Sequence, residues 1–292
     1  MNILFLNYHH APYRTPVLSK FKDKRHSHEF QVVTLSSIDT GHSYWGIDYD
    51  LSEDILLESE FSLFNKRKWH PGILSVLKSV NYDCLVVAGF YHITSLYLLL
   101  YGVIKRIPMV FMLDNIEANH SNFQQRFWEY FKIKFLSTIC QSFWVPGNAS
   151  KSYLLKYGGV SDERVFLGAY TLDTAKIYEE YCVHKNNRND LRSEFGFDDE
   201  TIVFLMVANF TDNRQHLLLV NAFLKVSLKA QNIALVLLGE GKNLESVKTL
   251  IKDNKAERTV FCLGGVKFDD LAKYYALSDI LFIAAVNRTQ QP

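Results

Sequence analysis

Short apolar runs alternate with helix-length stretches along most of this chain; the alternation breaks once and then restarts. Such a pattern strongly constrains the fold, because adjacent parallel strands need a crossover and a helix is the usual one. In the first half the expected strands are Asn2 to Leu6, Gln31 to Leu35, Cys84 to Ala88, Met109 to Leu113 and Ser142 to Val145. Helices are expected over Pro16 to Asp23, Gly72 to Val80, Thr94 to Val103, Asn122 to Ile139 and Ala149 to Tyr157. The break, Thr174 to Asp199, is polar and reads as a linker with a short helix near its centre. Beyond it come strands Ile202 to Ala208, Ile233 to Gly239, Val260 to Leu263 and Ile280 to Ala284, the last an apolar run read as buried. Helices Leu217 to Leu228, Leu244 to Asp253 and Phe268 to Ala276 lie between them. The reading is α/β, with domains 1–173 and 200–292 joined by 174–199, and strand order 3-2-1-4 in the second. That order sets the carboxyl ends of its first and last strands beside the switch point, where open α/β sheets bind ligands.

With 292 residues, 48% hydrophobic, the chain can bury two modest cores. A formal net charge of +1 gives no whole-molecule case for a nucleic-acid partner. Four scattered cysteines form no CxxC pair, and the opening MNILFLNYHHAPYR lacks the basic and cleavage regions of a signal peptide. A reduced, cytoplasmic protein is expected. Residues 84 to 104 are uncharged and long enough to span a bilayer, but Gly89, His92 and a β-branched opening favour a buried strand, a turn and a buried helix.

Several stretches carry possible chemistry. In VANFTDNRQH a loop leaves a strand and enters a helix N-terminus, a place suited to an anion; Arg214 there is either a phosphate partner or a solvated helix-start residue. In LLGEGKN, Gly239 and Gly241 allow close approach to a ligand or simply a tight turn, and Gly264 and Gly265 share the ambiguity. NYHHAPYRTP puts Tyr13 and Arg14 in the loop after the first strand; LDNIEANH puts Asp114, Asn115 and Glu117 after the fourth, where helix capping also accounts for polar residues. Ten histidines show no HExxH, and no metal site is expected. Basic and aromatic residues interleave in RFWEYFKIKF and KRKWH, as on faces that lie on anionic lipid or on half-buried helices.

Together, VPGNASKSYLLKYGGVSDERVFLGAYTLD, VANFTDNRQHLLLVNAFLKV, LVLLGEGKNLESVKTLI and VFCLGGVKFDDLAKYYALSDILFIA resemble, in order and spacing, the GT-B fold family 4 glycosyltransferases (glycosyl transferase group 1). The resemblance implies two Rossmann-like domains facing a cleft, with nucleotide-sugar bound by the second and acceptor by the first. It places Asn209 where the family usually shows Arg, Arg214 where it shows Lys, and the backbone around Val266 at the base, with Gly239, Gly241 and Gly264 also on the donor side. Asp114 stands where many relatives have His, which makes Asp114 and Glu117 the catalytic candidates; Tyr13, Arg14 and Asn115 are on the acceptor side. It implies no cofactor beyond the nucleotide-sugar donor, no metal, and retention of anomeric configuration. The expected reaction transfers a sugar to a lipid-linked or saccharide hydroxyl in bacterial surface polysaccharide or lipopolysaccharide assembly, by a cytoplasmic protein in peripheral contact with the anionic inner face of the membrane. A non-catalytic remnant or binding module and a nucleotide-sugar epimerase are the alternatives; a dehydrogenase is disfavoured because NYHHAP, not GxGxxG, follows the first strand.

In the family, the strand matching Ile280 to Ala284 precedes a loop and helix with two donor-binding glutamates. No acidic residue follows Asp279 here. The second domain is therefore expected to be incomplete, with weak donor binding, poor turnover and an uncovered apolar edge at its last strand.

Overall fold

Strand β1 (Asn2–His9) sends Leu4 and Leu6 to one face of a sheet and Phe5 to the other, and all three are fully buried, as expected of a strand covered on both sides. In the computed structural model, described over residues 1–9, 18, 28–36, 54–57, 60–63, 67–90, 92–114, 123–168 and 173–285, the chain divides into two compact units. The first ends before Asp173 and the second begins there.

The first unit is built on a seven-stranded sheet in the order β3-β2-β1-β6-β7-β8-β9. Its other strands are β2 (Glu29–Ser36), β3 (Ile55–Leu56), β6 (Cys84–Ala88), β7 (Met109–Met112), β8 (Ser142–Val145) and β9 (Val165–Leu167), all paired in parallel. A short antiparallel hairpin, β4 (Phe61–Leu63) with β5 (Arg67–Trp69), stands apart from it. Helices α1 (Ile73–Ser79), α2 (Ile93–Lys105), α3 (Phe123–Ile139) and α4 (Asn148–Tyr153, continued by a π turn to Gly158) follow in order. One large core takes Ile73, Leu98, Ile133 and Tyr153 from these four helices, so all of them cover the same sheet face. The opposite face packs around Phe5, Val32, Val86 and Leu18.

The described residues between 84 and 104 are strand β6, the turn at Gly89 and nearly all of α2, and no helix among the described residues is long and apolar enough to cross a membrane. The expected strands of this half are present. The short β3, β4, β5 and β9 have no counterpart in the sequence reading, because two or three residues give no period to detect. The expected helix over Pro16 to Asp23 lies outside the described residues apart from Leu18.

The second unit has four parallel strands in the order β12-β11-β10-β13, which is the 3-2-1-4 order. They are β10 (Ile202–Val207), β11 (Ile233–Leu238), β12 (Val260–Gly264) and β13 (Ile280–Leu281). Period-two alternation divides the two cores: Ile233, Leu235 and Leu237 face one with α7 (His216–Ser227) and α8 (Leu244–Asp253). Ala234, Val236 and Leu238 face the other with Leu191 and Leu277.

Two findings differ from the sequence reading. The polar stretch 174–199 is helical for most of its length, as α5 (Thr174–Asn186) and α6 (Arg188–Glu194); α9 (Leu271–Leu277) packs against both. Its polarity hid this, since α5 has no buried residue and so no apolar stripe. Arg192 anchors α6, with only 4% of its side chain exposed. Its guanidinium donates to the carbonyls of Leu277, Asp198 and Thr201 and to Asp279. Burial works against ionisation of Asp279, yet the Val203 amide and the Arg188 and Arg192 guanidiniums outweigh it and lower its pKa.

The second difference is the extent of the last strand, read over Ile280 to Ala284; its uncovered apolar edge is as expected. Only Ile280 and Leu281 pair, with Phe204 and Leu205, and Ile280, Leu281, Phe282 and Ile283 are all exposed. No strand among the described residues covers their outer side.

Candidate functional site

The carboxyl edge of the second sheet gathers three loops, and what holds them together is backbone. The amide of Ala208 donates to Leu238, that of Phe210 to Glu240 at 2.7 Å, that of Asn243 to Phe210, and that of Gly239 to Gly264. Such short-range stitching between loops requires them to approach more closely than side chains allow. Gly239 (φ 140°) and Gly241 (φ 146°) supply this: a Cβ on Gly239 would fall far inside contact distance of the Ala208 carbonyl oxygen, and one on Gly241 would lie 2.6 Å from that of Phe210. The two glycines therefore serve loop-on-loop packing.

Side chains add three further ties. Asp212, in the 3-10 turn Asp212–Arg214, accepts from Lys242 and, at 2.8 Å, from Asn243, and these two bonds lower its pKa. Glu240 accepts from the Gly265 amide at 2.8 Å and so holds the loop after β12. Beneath the first loop, His216 opens α7 and lies flat on Phe210, ring centroids 3.9 Å apart and 18° from coplanar. Burial holds its imidazole neutral, pushing the pKa down to about 4 while the nearby Ala208 carbonyl opposes. Neither of its ring nitrogens closes a hydrogen bond among the described residues.

Asn209, Arg214, Gly239, Gly241, Gly264 and Val266 thus all lie on these three loops or the strand end that begins one. Arg214 is exposed and has no ion-pair partner among the described residues, one residue before Gln215 (φ 53°) and two before α7. The first-turn amides of that 12-residue helix have no intrahelical acceptor. An exposed guanidinium beside free helix amides is an arrangement suited to a diphosphate. Sequence reasoning missed Asp212, Glu240 and His216. His216 was detectable, since it shares the buried stripe of Leu219, Val220 and Phe223 at helical spacing.

At the carboxyl edge of the first sheet, Asp114 lies two residues after the end of β7 and is half-buried. Tyr13, Arg14, Asn115 and Glu117 lie outside the described residues. A cluster the sequence did not reveal occupies this edge. The buried His70 accepts or donates at Nδ1 with Thr94 Oγ1 at 3.0 Å, and its backbone amide donates to the same oxygen at 3.0 Å. His92 packs edge-on to His70 and against Tyr8, whose hydroxyl meets Ser95 at 3.3 Å. Burial lowers the pKa of both histidines, that of His92 to about 4. Glu60 of the hairpin approaches His70 Nε2 to 3.7 Å and pairs with Lys68, whose hydrogen bond lowers the Glu60 pKa. Among the described residues, no three His, Cys, Asp or Glu side chains are grouped to hold a metal ion.

Residues 187–287 match the family described as glycosyl transferases group 1. A stretch of 100 residues is 26% identical to alpha-monoglucosyldiacylglycerol synthase of Acholeplasma laidlawii. That stretch is 34% of this chain and about a quarter (25%) of the relative's length. Among solved structures, Anabaena Alr3699/HepE in complex with UDP superposes with TM-score 0.68 at 16% identity, over 98% of this chain and 74% of the other. A glycosyltransferase from Rickettsia africae gives 0.67 at 14%, over 98% and 73%. UDP-GlcNAc 2-epimerase of Neisseria meningitidis, bound to UDP-GlcNAc, gives 0.62 at 17%, over 96% and 77%. The fold is GT-B, and residues 187–287, which carry every loop of the carboxyl-edge cluster, are similar to the glycosyl transferases group 1.

Proposed function

We propose that the protein transfers a sugar from a nucleotide-sugar donor to a hydroxyl of a lipid-linked or saccharide acceptor, in bacterial surface polysaccharide biosynthesis. The observation that carries this reading is the coincidence of the family match with the loop cluster: residues 187–287 contain Arg214, the start of α7 and the stitched loops. In this reading the diphosphate lies against Arg214 and the first turn of α7, and the base against the backbone around Val266. Stabilising the departing diphosphate is then the work of a cation and helix amides, and no metal is required. Transfer proceeds with retention, and Asp114 and Glu117 are the candidates for handling the acceptor proton. Tyr13, Arg14 and Asn115 belong to the acceptor side. The reaction takes place in the cytoplasm, with the protein in peripheral contact with the inner membrane face. Support for a uridine nucleotide comes from the UDP and UDP-glucose complexes of HepE.

Titration calorimetry with UDP, UDP-glucose and UDP-GlcNAc, followed by product analysis with labelled donor, tests the reading. Weak donor binding and slow passage of label to an acceptor are expected. Label recovered only in an isomeric nucleotide sugar would establish the epimerase alternative, and binding without turnover would establish a binding module.

A further inference from the structure

The outer face of α3 is unlike that of an ordinary sheet-covering helix. Ile133 and Leu136 fill the core on one side, while on the solvent side Phe127, Phe131 and Phe135 line up at successive helical turns with Trp128 and Tyr130 beside them. Trp128 is 71% exposed. Helix α2 repeats the pattern: Leu98 and Leu99 face the core, and Leu96, Leu100, Val103 and Ile104 form an exposed stripe at spacings of four, three and one.

The two helices cover the same sheet face: they connect β6 to β7 and β7 to β8, three adjacent parallel strands, and both contribute to the same core. Nine large apolar side chains thus face outward on the side these helices cover, five of them aromatic on α3 alone, where a monomer's exposed apolar patches are usually small.

Charge limits what can cover this face. Lys105 and Arg106 end α2 and Lys134 lies within the α3 stripe; all three are exposed and have no ion-pair partner among the described residues. The one carboxylate among the described side chains of the two helices, Glu129, is engaged by Lys132 and by the Tyr153 hydroxyl. A second copy docking here would set like charges against each other. Aromatic and aliphatic side chains bordered by unpaired cations are matched by a surface of hydrocarbon beneath anionic headgroups.

We propose that the outer face of α2 and α3 docks in the plane of an anionic lipid bilayer, with Trp128, Phe131, Phe135, Leu100 and Ile104 entering the headgroup and acyl boundary and Lys105, Arg106 and Lys134 at the phosphates. This names the surface for the peripheral contact proposed above and rests on that reading only for the acceptor it would serve. Lys68, Trp69 and His70 of the KRKWH stretch are engaged elsewhere: Trp69 packs on Tyr97, Lys68 pairs with Glu60 and His70 is buried.

The test is co-sedimentation of the full chain with vesicles of phosphatidylcholine alone or with one-third phosphatidylglycerol, at low and high salt, with UDP titration of the same samples. Binding to the anionic vesicles, weakened by salt, is expected. The triple variant Lys105→Glu, Arg106→Glu, Lys134→Glu should lose at least tenfold in partitioning, and Trp128→Ser with Phe131→Ser a similar factor. Both should retain the UDP affinity of the parent, whatever that is. A blue shift of tryptophan emission on binding should disappear in Trp128→Phe. No sedimentation with anionic vesicles, equal binding to neutral ones, or unchanged binding by both variants would overturn the proposal. So would concentration-dependent dimerisation that Trp128→Ser with Phe131→Ser abolishes. Failure of UDP binding would bear on the donor site alone.

Discussion

The carboxyl edges of the two sheets are built differently. In the second unit, backbone meets backbone: loops after β10, β11 and β12 are joined by main-chain hydrogen bonds across glycines, and the Arg214 guanidinium is exposed. In the first unit, the described part of the edge is held by side chains, with Thr94 satisfying His70 and with His92, Tyr8 and Ser95 packed around them. A backbone-built edge fixes its loops with little dependence on pH and frees its side chains for an anion. An edge built on buried imidazoles depends on their remaining neutral. His216 is the exception in the second unit, a buried imidazole under an otherwise main-chain scaffold.

The largest effect is expected at Gly239. Its positive φ and the adjacent Ala208 carbonyl leave no room for a methyl, so Gly239→Ala should cost about 3 kcal/mol or more in chemical denaturation and abolish UDP binding. Thr94→Val probes the other edge. It removes the hydroxyl shared by the His70 amide and Nδ1, leaves buried groups unpaired, and should cost about 2 kcal/mol while sparing UDP binding.

Acid separates the two kinds of construction further. A buried His with a pKa of about 4, against 6.5 when unfolded, is neutral in the fold at pH 5 but protonated in the unfolded chain. The unfolded state then binds more protons, so stability is full above about pH 6.5 and is lost as pH falls toward 4. Each of His92 and His216 should account for about 2 kcal/mol lost between pH 7 and 5. In His216→Leu that loss should shrink, and because both ring nitrogens of His216 lack closed hydrogen bonds, stability at pH 7 should hold or rise. The smallest effect is expected for Lys242→Ala: an exposed ion pair with Asp212 should contribute at most about 0.5 kcal/mol to stability.

Much of this was legible in the residues. Long apolar runs such as Ile233 to Leu238 announced both sheets, because strands buried on two faces are continuously apolar, and the 3-2-1-4 order followed from regular alternation. The α5 helix was not legible, since a helix without a buried face has no stripe to read. At Ile280 to Ala284 the uncovered apolar edge was legible but the extent of pairing was not, because composition marks a strand's affinity for a core and not how far it pairs. At the site, glycines and Arg214 could be singled out from the sequence, but their roles could not be distinguished. Only the close approach to Ala208 and Phe210 shows that Gly239 and Gly241 serve loop packing, and only the absence of a counter-ion among the described residues shows Arg214 to be available. The His70, Thr94 and His92 cluster joins residues 22 to 24 positions apart through the fold and gave no linear signal.

The central claim is that the second unit holds a nucleotide diphosphate on Arg214 and the start of α7. Titration calorimetry of UDP into the parent chain and Arg214→Ala at pH 7.5 tests it most directly. Loss of a charge-assisted phosphate bond of about 1.5–3 kcal/mol should weaken UDP roughly 10- to 150-fold, with the thermal midpoint of the free protein unchanged. Equal UDP affinity in parent and variant, or no UDP binding by the folded parent, would contradict it.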